Sequence, residues 1–171
     1  TDVASDSRVS FGLSADSLTT SVDGPLVTTE HEVRLDGLTP ATRYFYSIGS
    51  ASGPPSSGPD QFFWTAPPAH TSLPTRIWVL GDASLADANS RAVRDAYAAL
   101  SAARQTDVWL MLGDNAYVTG TDAEYQSAVF DMYPRFLKQT VLWPTIGNHD
   151  SAFSPGPASN LPYHQIFTLP T

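Results

Sequence analysis

The chain has 171 residues, a formal net charge of -8 and no cysteine, so disulfides and thiolate metal sites are excluded. A hydrophobic fraction of 42% with 11% aromatic residues describes a folded chain, because disordered chains lack the apolar surface that offsets ordering entropy. With Lys138 the single lysine, nucleic acid is excluded as a main partner, since phosphate backbones need clustered cations, and no apolar run nears the roughly 20 residues that membrane insertion requires.

Residues 1–66 read as short alternating strands broken by turns. Arg8–Leu13 alternates and is followed by a Ser14-Ala15-Asp16-Ser17 turn. Val27–Leu35 sets Val33 and Leu35 on one face, Arg43–Ile48 does so with Tyr44, Tyr46 and Ile48, and Gln61–Thr65 with Phe62 and Trp64. The stretch from Gly37 to Tyr44 resembles the tyrosine corner of fibronectin type III-like β-sandwiches, where the hydroxyl bonds backbone a few residues upstream. About five strands are found where such sandwiches have about seven, so this fibronectin type III-like domain is expected to be incomplete, its N-terminal strands missing. Ser50 to Pro59 reads as a surface loop, and residues 67–75, with Pro67, Pro68 and Pro74, as a stiff linker.

From residue 76 to 171 the pattern changes to strand, loop, helix. Ile77–Leu80 is an apolar run suited to a strand buried on both faces, ending in Gly81-Asp82. A helix over about 87–104 is predicted to turn Val93, Ala96, Tyr97 and Leu100 inward. Asp107–Leu112 is a second buried strand, ending in Gly113-Asp114. Thr121-Asp122-Ala123-Glu124 fits a capping box opening a helix whose inner face is Tyr125, Val129, Met132 and Tyr133, with Pro134 ending or kinking it. Val141–Ile146 is a third strand, ending in Gly147-Asn148-His149-Asp150. The βαβαβ order implies parallel strands with right-handed crossovers.

Three successive strands thus end in glycine followed by a metal-competent side chain. In parallel sheets ligands sit at the carboxyl ends of strands, so these residues converge. Aspartate oxygens, an asparagine amide and an imidazole suit iron, zinc or manganese. The series Gly-Asp, Gly-Asp-x-x-Tyr and Gly-Asn-His-Asp resembles the metallophosphoesterase superfamily, and Tyr117 resembles the purple acid phosphatase branch, over roughly residues 76–171. The fold expected is an incomplete β-sandwich followed by the first half of an α/β metallophosphoesterase domain.

The resemblance implies hydrolysis of phosphate monoesters at a dinuclear centre, Fe(III) with Fe, Zn or Mn as the second metal. It implies that Asp82 and Tyr117 bind the first metal, that Asp114 bridges both, and that Asn148 binds the second. His149 is implied to meet the substrate phosphate or leaving group, and Asp150, which closes the motif, is grouped with it as catalytic, acting through its neighbours. Two metals together would activate water and neutralise phosphoryl charge, and a protonated His149 would assist the departing alkoxide.

The chain departs from the family at Ser84, where glycine is usual, and it lacks the three later histidines that complete the site. Of its four histidines, His31 and His70 read as surface residues, and His164 sits in an expected loop. The second metal would then have only Asp114 and Asn148, so the chain alone is expected to be inactive and to need the remainder of its own polypeptide. Tyr163 and Phe167 look exposed, as if awaiting that remainder. A secreted, extracellular or periplasmic location is expected, with any signal upstream of residue 1 or removed. A phosphodiesterase or nucleotide pyrophosphatase of the same superfamily, or a non-catalytic surface or matrix binding protein reusing the fold, are the alternative readings.

Overall fold

The computed structural model describes residues 1, 3–152 and 160–169, in two units, Thr1–Pro74 and Thr75–Thr171. In the first, strands β1 (Arg8–Gly12), β2 (Thr20–Asp23), β3 (Arg43–Gly49) and β4 (Phe62–Trp64) form an antiparallel sheet in the order β2-β1-β3-β4. β1 and β2 fold back on each other through the serine-rich turn, where Ser14 and Ser17 bridge. Tyr44 fills the inner face between Phe11, whose ring meets it edge-on at 5.9 Å, and Phe63, stacked at 5.8 Å. Its hydroxyl accepts from Thr39 N at 3.0 Å, tying the turn before β3 to the strand.

Two expectations for this unit need correction. Val27–Leu35 is not a strand; only Thr28 pairs, as a bridge to Ser5. Alternation reports a face but not a partner, and without a ladder to satisfy its N–H and C=O groups the segment stays irregular. Thr20–Asp23, not expected, does pair with β1, and Arg8 clasps Asp23 across the register with hydrogen bonds of 2.6 and 2.8 Å. Among the described residues of this unit one sheet is present, where a sandwich has two.

The second unit runs β5 (Ile77–Leu80), α1 (Ala88–Leu100), β6 (Val108–Met111), α2 (Asp122–Tyr125), a π-helical segment Gln126–Phe130, α3 (Pro134–Gln139), β7 (Val141–Pro144) and α4 (Pro162–Ile166). The strands make a parallel sheet in the order β5-β6-β7, as the βαβαβ pattern implies. Trp78, Trp109 and Leu142 share one register row, and the first two are buried with Tyr133 and Phe136, with Tyr97 half-buried against them. The Trp78 ring stacks on Tyr97 at 4.0 Å and on Trp109 at 5.0 Å. Tyr125, Val129, Met132 and Tyr133 are all buried, as the capping-box reading expects. Pro134 opens α3 at its first turn, where a missing N–H costs nothing.

The opposite face of this sheet corrects the expectation of strands buried on both sides. Ile77, Val108 and Val141 form one row and Val79, Leu110 and Trp143 the next. Ile77 and Val79 are each 51% exposed, and Val141 and Trp143 are exposed as well. An apolar run shows that a strand suits two covered faces, while covering them takes a second layer. Helix α1 differs similarly. It is capped by Asp87, whose carboxylate accepts from Ser90 N at 2.8 Å, and ends at Leu100 rather than near residue 104. Its inward residues are Tyr97 and Ala98, while Val93 and Leu100 face solvent. Among the described residues no helix is long and apolar enough to cross a membrane.

Candidate metal centre

The three strand ends meet at one edge of the second unit. Leu112 N donates to Leu80 O at 2.8 Å and Thr145 N to Met111 O at 2.8 Å, so the ladder holds its register up to the glycines. Gly113, with φ +94, lies so close to Gly147 that a Cβ would sit 3.0 Å from the Gly147 Cα. A Cβ on Gly147 would in turn overlap the backbone nitrogen and carboxylate of Asp114. These glycines are therefore spacers that let the β6 and β7 loops touch.

Asp82 and Asp114 both adopt the left-handed backbone conformation, φ 54 and 52. That conformation is uncommon outside glycine and concentrates at functional sites. The Tyr117 hydroxyl donates to Asp82 Oδ1 at 2.5 Å and lies 3.1 Å from Asp114 Oδ2. The Asp82 hydrogen bond, desolvation and the Asp114 hydrogen bond all push the phenol upward from its ordinary pKa. Two carboxylates from different strands and a phenol thus converge, a hard oxygen donor set of the kind that binds di- or trivalent cations. Among the described residues no three His, Asp or Glu side chains gather closely enough to hold a metal ion, so the donors present fit such a cation without enclosing it.

The third loop completes the edge. His149 N donates to Asp114 Oδ1 at 2.9 Å, which places Asn148 beside that carboxylate's loop with its own side chain exposed. The His149 ring packs 4.3 Å from the Tyr117 ring, and its Nδ1 is 2.8 Å from the Val118 carbonyl. A carbonyl only accepts, so Nδ1 carries a proton there and Nε2 is the nitrogen left for a ligand.

Asp150 lies beneath these groups, fully buried. One oxygen accepts from Asn115 N, Ala116 N and the Tyr125 hydroxyl at 2.9, 3.2 and 2.7 Å. The other accepts from Asn115 Nδ2 and Gly147 N at 2.9 and 2.8 Å. Burial, then the bond to Asp150, raises the Tyr125 pKa. Asp150 therefore ties the β6 loop, the β7 loop and α2 into one body.

Two further residues matter whose contacts the motifs do not show. Ser84, which stands where the family has glycine, is buried and its hydroxyl donates to Asp114 O at 2.5 Å, tying the first loop to the second. Asn115 is buried and its amide also donates to Thr145 O at 2.8 Å. A buried polar residue next to a motif aspartate is a signal, but its partners are non-local. The remaining histidines lie elsewhere. His31 bonds Ser7 and Thr1 in the first unit, and His70 is exposed. His164 is in α4 rather than a loop, exposed with its ring against Tyr163. Tyr163 is itself buried, donating to Pro144 O at 2.9 Å, and Phe167 packs on the same core, so neither awaits a missing partner.

A parallel sheet with carboxylates and a phenol at its carboxyl edge defines an α/β protein with a ligand site at the strand ends. A family model described as Metallophos, calcineurin-like phosphoesterase, matches residues 75–170, and the chain belongs to that family. Among solved structures, the purple acid phosphatase PPD1 from yellow lupin (Lupinus luteus) seeds shares the fold, with a TM-score of 0.66 and 15% sequence identity. The match covers 98% of this chain and 36% of that one, so the chain spans about a third of the relative's length. No curated protein matches the chain.

Proposed function

We propose that this chain contributes the first half of a dinuclear metal site that hydrolyses phosphate monoesters, in the manner of an acid phosphatase. The observation that carries the reading is the convergence of Asp82, Asp114 and Tyr117, with the phenol 2.5 and 3.1 Å from the two carboxylates, in a chain of the phosphoesterase family. Asp82, Asp114 and Tyr117 would hold Fe(III), and Asp114 with Asn148 would begin the site for Fe, Zn or Mn. When bound, such a metal pair supplies Lewis-acid activation of water and neutralises charge on the phosphoryl group. The protein's own residues then orient the ester. His149 presents Nε2, with Nδ1 held by Val118 O, and when protonated gives its proton to the departing alkoxide. Asp150 keeps the loops carrying Asp114 and His149 in register.

The site is completed by the remainder of the same polypeptide. The open sheet face of Ile77, Val79, Val141 and Trp143 supports this, because parallel sheets are covered on both sides. The first unit is read as an incomplete fibronectin type III-like sandwich, supported by the Tyr44 to Thr39 hydrogen bond five residues upstream. The same reading assigns the protein to a secreted, extracellular or periplasmic compartment, compatible with a chain free of cysteine. Substitution D114N in the intact protein tests the function. It is expected to abolish metal binding and hydrolysis of p-nitrophenyl phosphate together, and a fully active D114N would refute the assignment.

A further inference from the structure

Thr121 and Glu124 form a capping box at the start of α2. Such a glutamate needs to reach only the backbone N–H of the capping residue, here Thr121, which donates to Oε2 at 2.9 Å. The Glu124 carboxylate reaches further. Oε1 accepts from Val118 N, and Oε2 accepts from Thr119 N at 3.2 Å and from the Thr119 and Thr121 hydroxyls at 3.3 and 2.9 Å. These contacts gather the turn that directly follows Tyr117.

The other side of that turn faces the site. Val118 O is the group that holds His149 Nδ1 at 2.8 Å. Gly120, with φ +71, packs so tightly on the β7 loop that a Cβ would lie 2.6 Å from Asp150 O. The geometry points to Glu124 as a positioning residue for His149, holding Val118–Thr121 so that the Val118 carbonyl orients the imidazole. The inference rests on the reading of His149 as the group that meets the phosphate ester. Burial opposes the charge on Glu124, but hydrogen bonds from the Thr121, Val118 and Thr119 backbone outweigh it and hold the carboxyl down at about 2. The carboxylate therefore keeps accepting well below the range in which a glutamate ordinarily titrates.

The test uses the intact protein, p-nitrophenyl phosphate and the variants E124A, E124Q, H149A and E124A/H149A. H149A is expected to lower kcat/KM by about a hundredfold, as for loss of a general acid. E124A is expected to lower it by about tenfold, E124Q by less because an acceptor oxygen remains, and the double variant no further than H149A alone. Once the ring is gone, what orients it no longer counts. Hydrogen-exchange mass spectrometry supplies a readout independent of activity. E124A should lose protection in residues 118–121 and also in 147–150, which the carboxylate does not touch. Losses that multiply in the double variant, or deprotection confined to 118–125, would overturn the proposal and leave Glu124 as a helix cap. If the wild type hydrolyses no phosphate ester, the proposed function fails, and hydrogen exchange alone decides the positioning role.

Discussion

Replacing Asp150 should destabilise the second unit more than any surface change near the site. The carboxylate is fully buried and all five of its partners donate: Asn115 N, Asn115 Nδ2, Ala116 N, Gly147 N and the Tyr125 hydroxyl. In D150N, the amide oxygen can keep the three donors that now share Oδ1, while its NH2 group is set against Asn115 Nδ2 and Gly147 N. Two N–H groups thus lose their acceptor, at about 1 kcal/mol each, or about 2 kcal/mol in all. D150A leaves five unpaired and should cost about 4 kcal/mol, the scale of breaking a buried charged network. With a guanidinium m-value of about 4 kcal/mol/M, the unfolding midpoint should fall by about 0.5 M in D150N and about 1 M in D150A. Tryptophan fluorescence reads this directly, since Trp78 and Trp109 lie in the core of the same unit. A D150N midpoint equal to wild type would show that the network contributes nothing net, and the ordering of the site loops would need another cause.

G147A should drive a methyl into Asp114 and separate the β6 and β7 loops, so metal content measured by elemental analysis is expected to fall at least tenfold while the fold persists. Y163F removes the hydroxyl that reaches Pro144 O and should cost about 1 kcal/mol in a denaturation experiment, loosening α4 from β7. Glu124 carries a pH signature. Its carboxyl is held below its ordinary value, so the stabilisation it gives is fully present above about 4.5 and is lost as pH falls toward about 2. The stability difference between wild type and E124Q should therefore be constant near neutral pH and shrink across that window in acid titrations.

The order of elements in the second unit, and which residues stand at its strand ends, were legible without coordinates. Local rules decide them: apolar runs of strand length, a capping box at Thr121, and glycine followed by aspartate where a strand must turn sharply. Parallel topology then brings Asp82, Asp114 and the Gly147–Asp150 loop to one edge, because each follows the carboxyl end of a neighbouring strand. The buried face of α2 and the segment after it was legible for the same reason, a helical repeat of aromatic and aliphatic residues.

What depended on partners distant in sequence was not legible. Alternation in Val27–Leu35 resembled a strand, yet strands exist only in pairs, and among the described residues only Thr28 of that segment pairs, bridging Ser5. Val93, Tyr97 and Leu100 were all expected on the inward stripe of α1, but of these only Tyr97 turned inward, because Trp78 offered a ring to stack on and Thr106 a hydroxyl at 2.7 Å. Ser84 looked like the loss of a flexible glycine, and only the meeting of two loops made it a donor to Asp114 O. Sequence by itself determined which side chains stand at each strand end, since residue type and backbone turn are local. Tertiary structure alone decided which side chains hold those loops in place, because Asp150 and Ser84 act through hydrogen bonds to partners 25 to 35 residues away that only folding brings within reach.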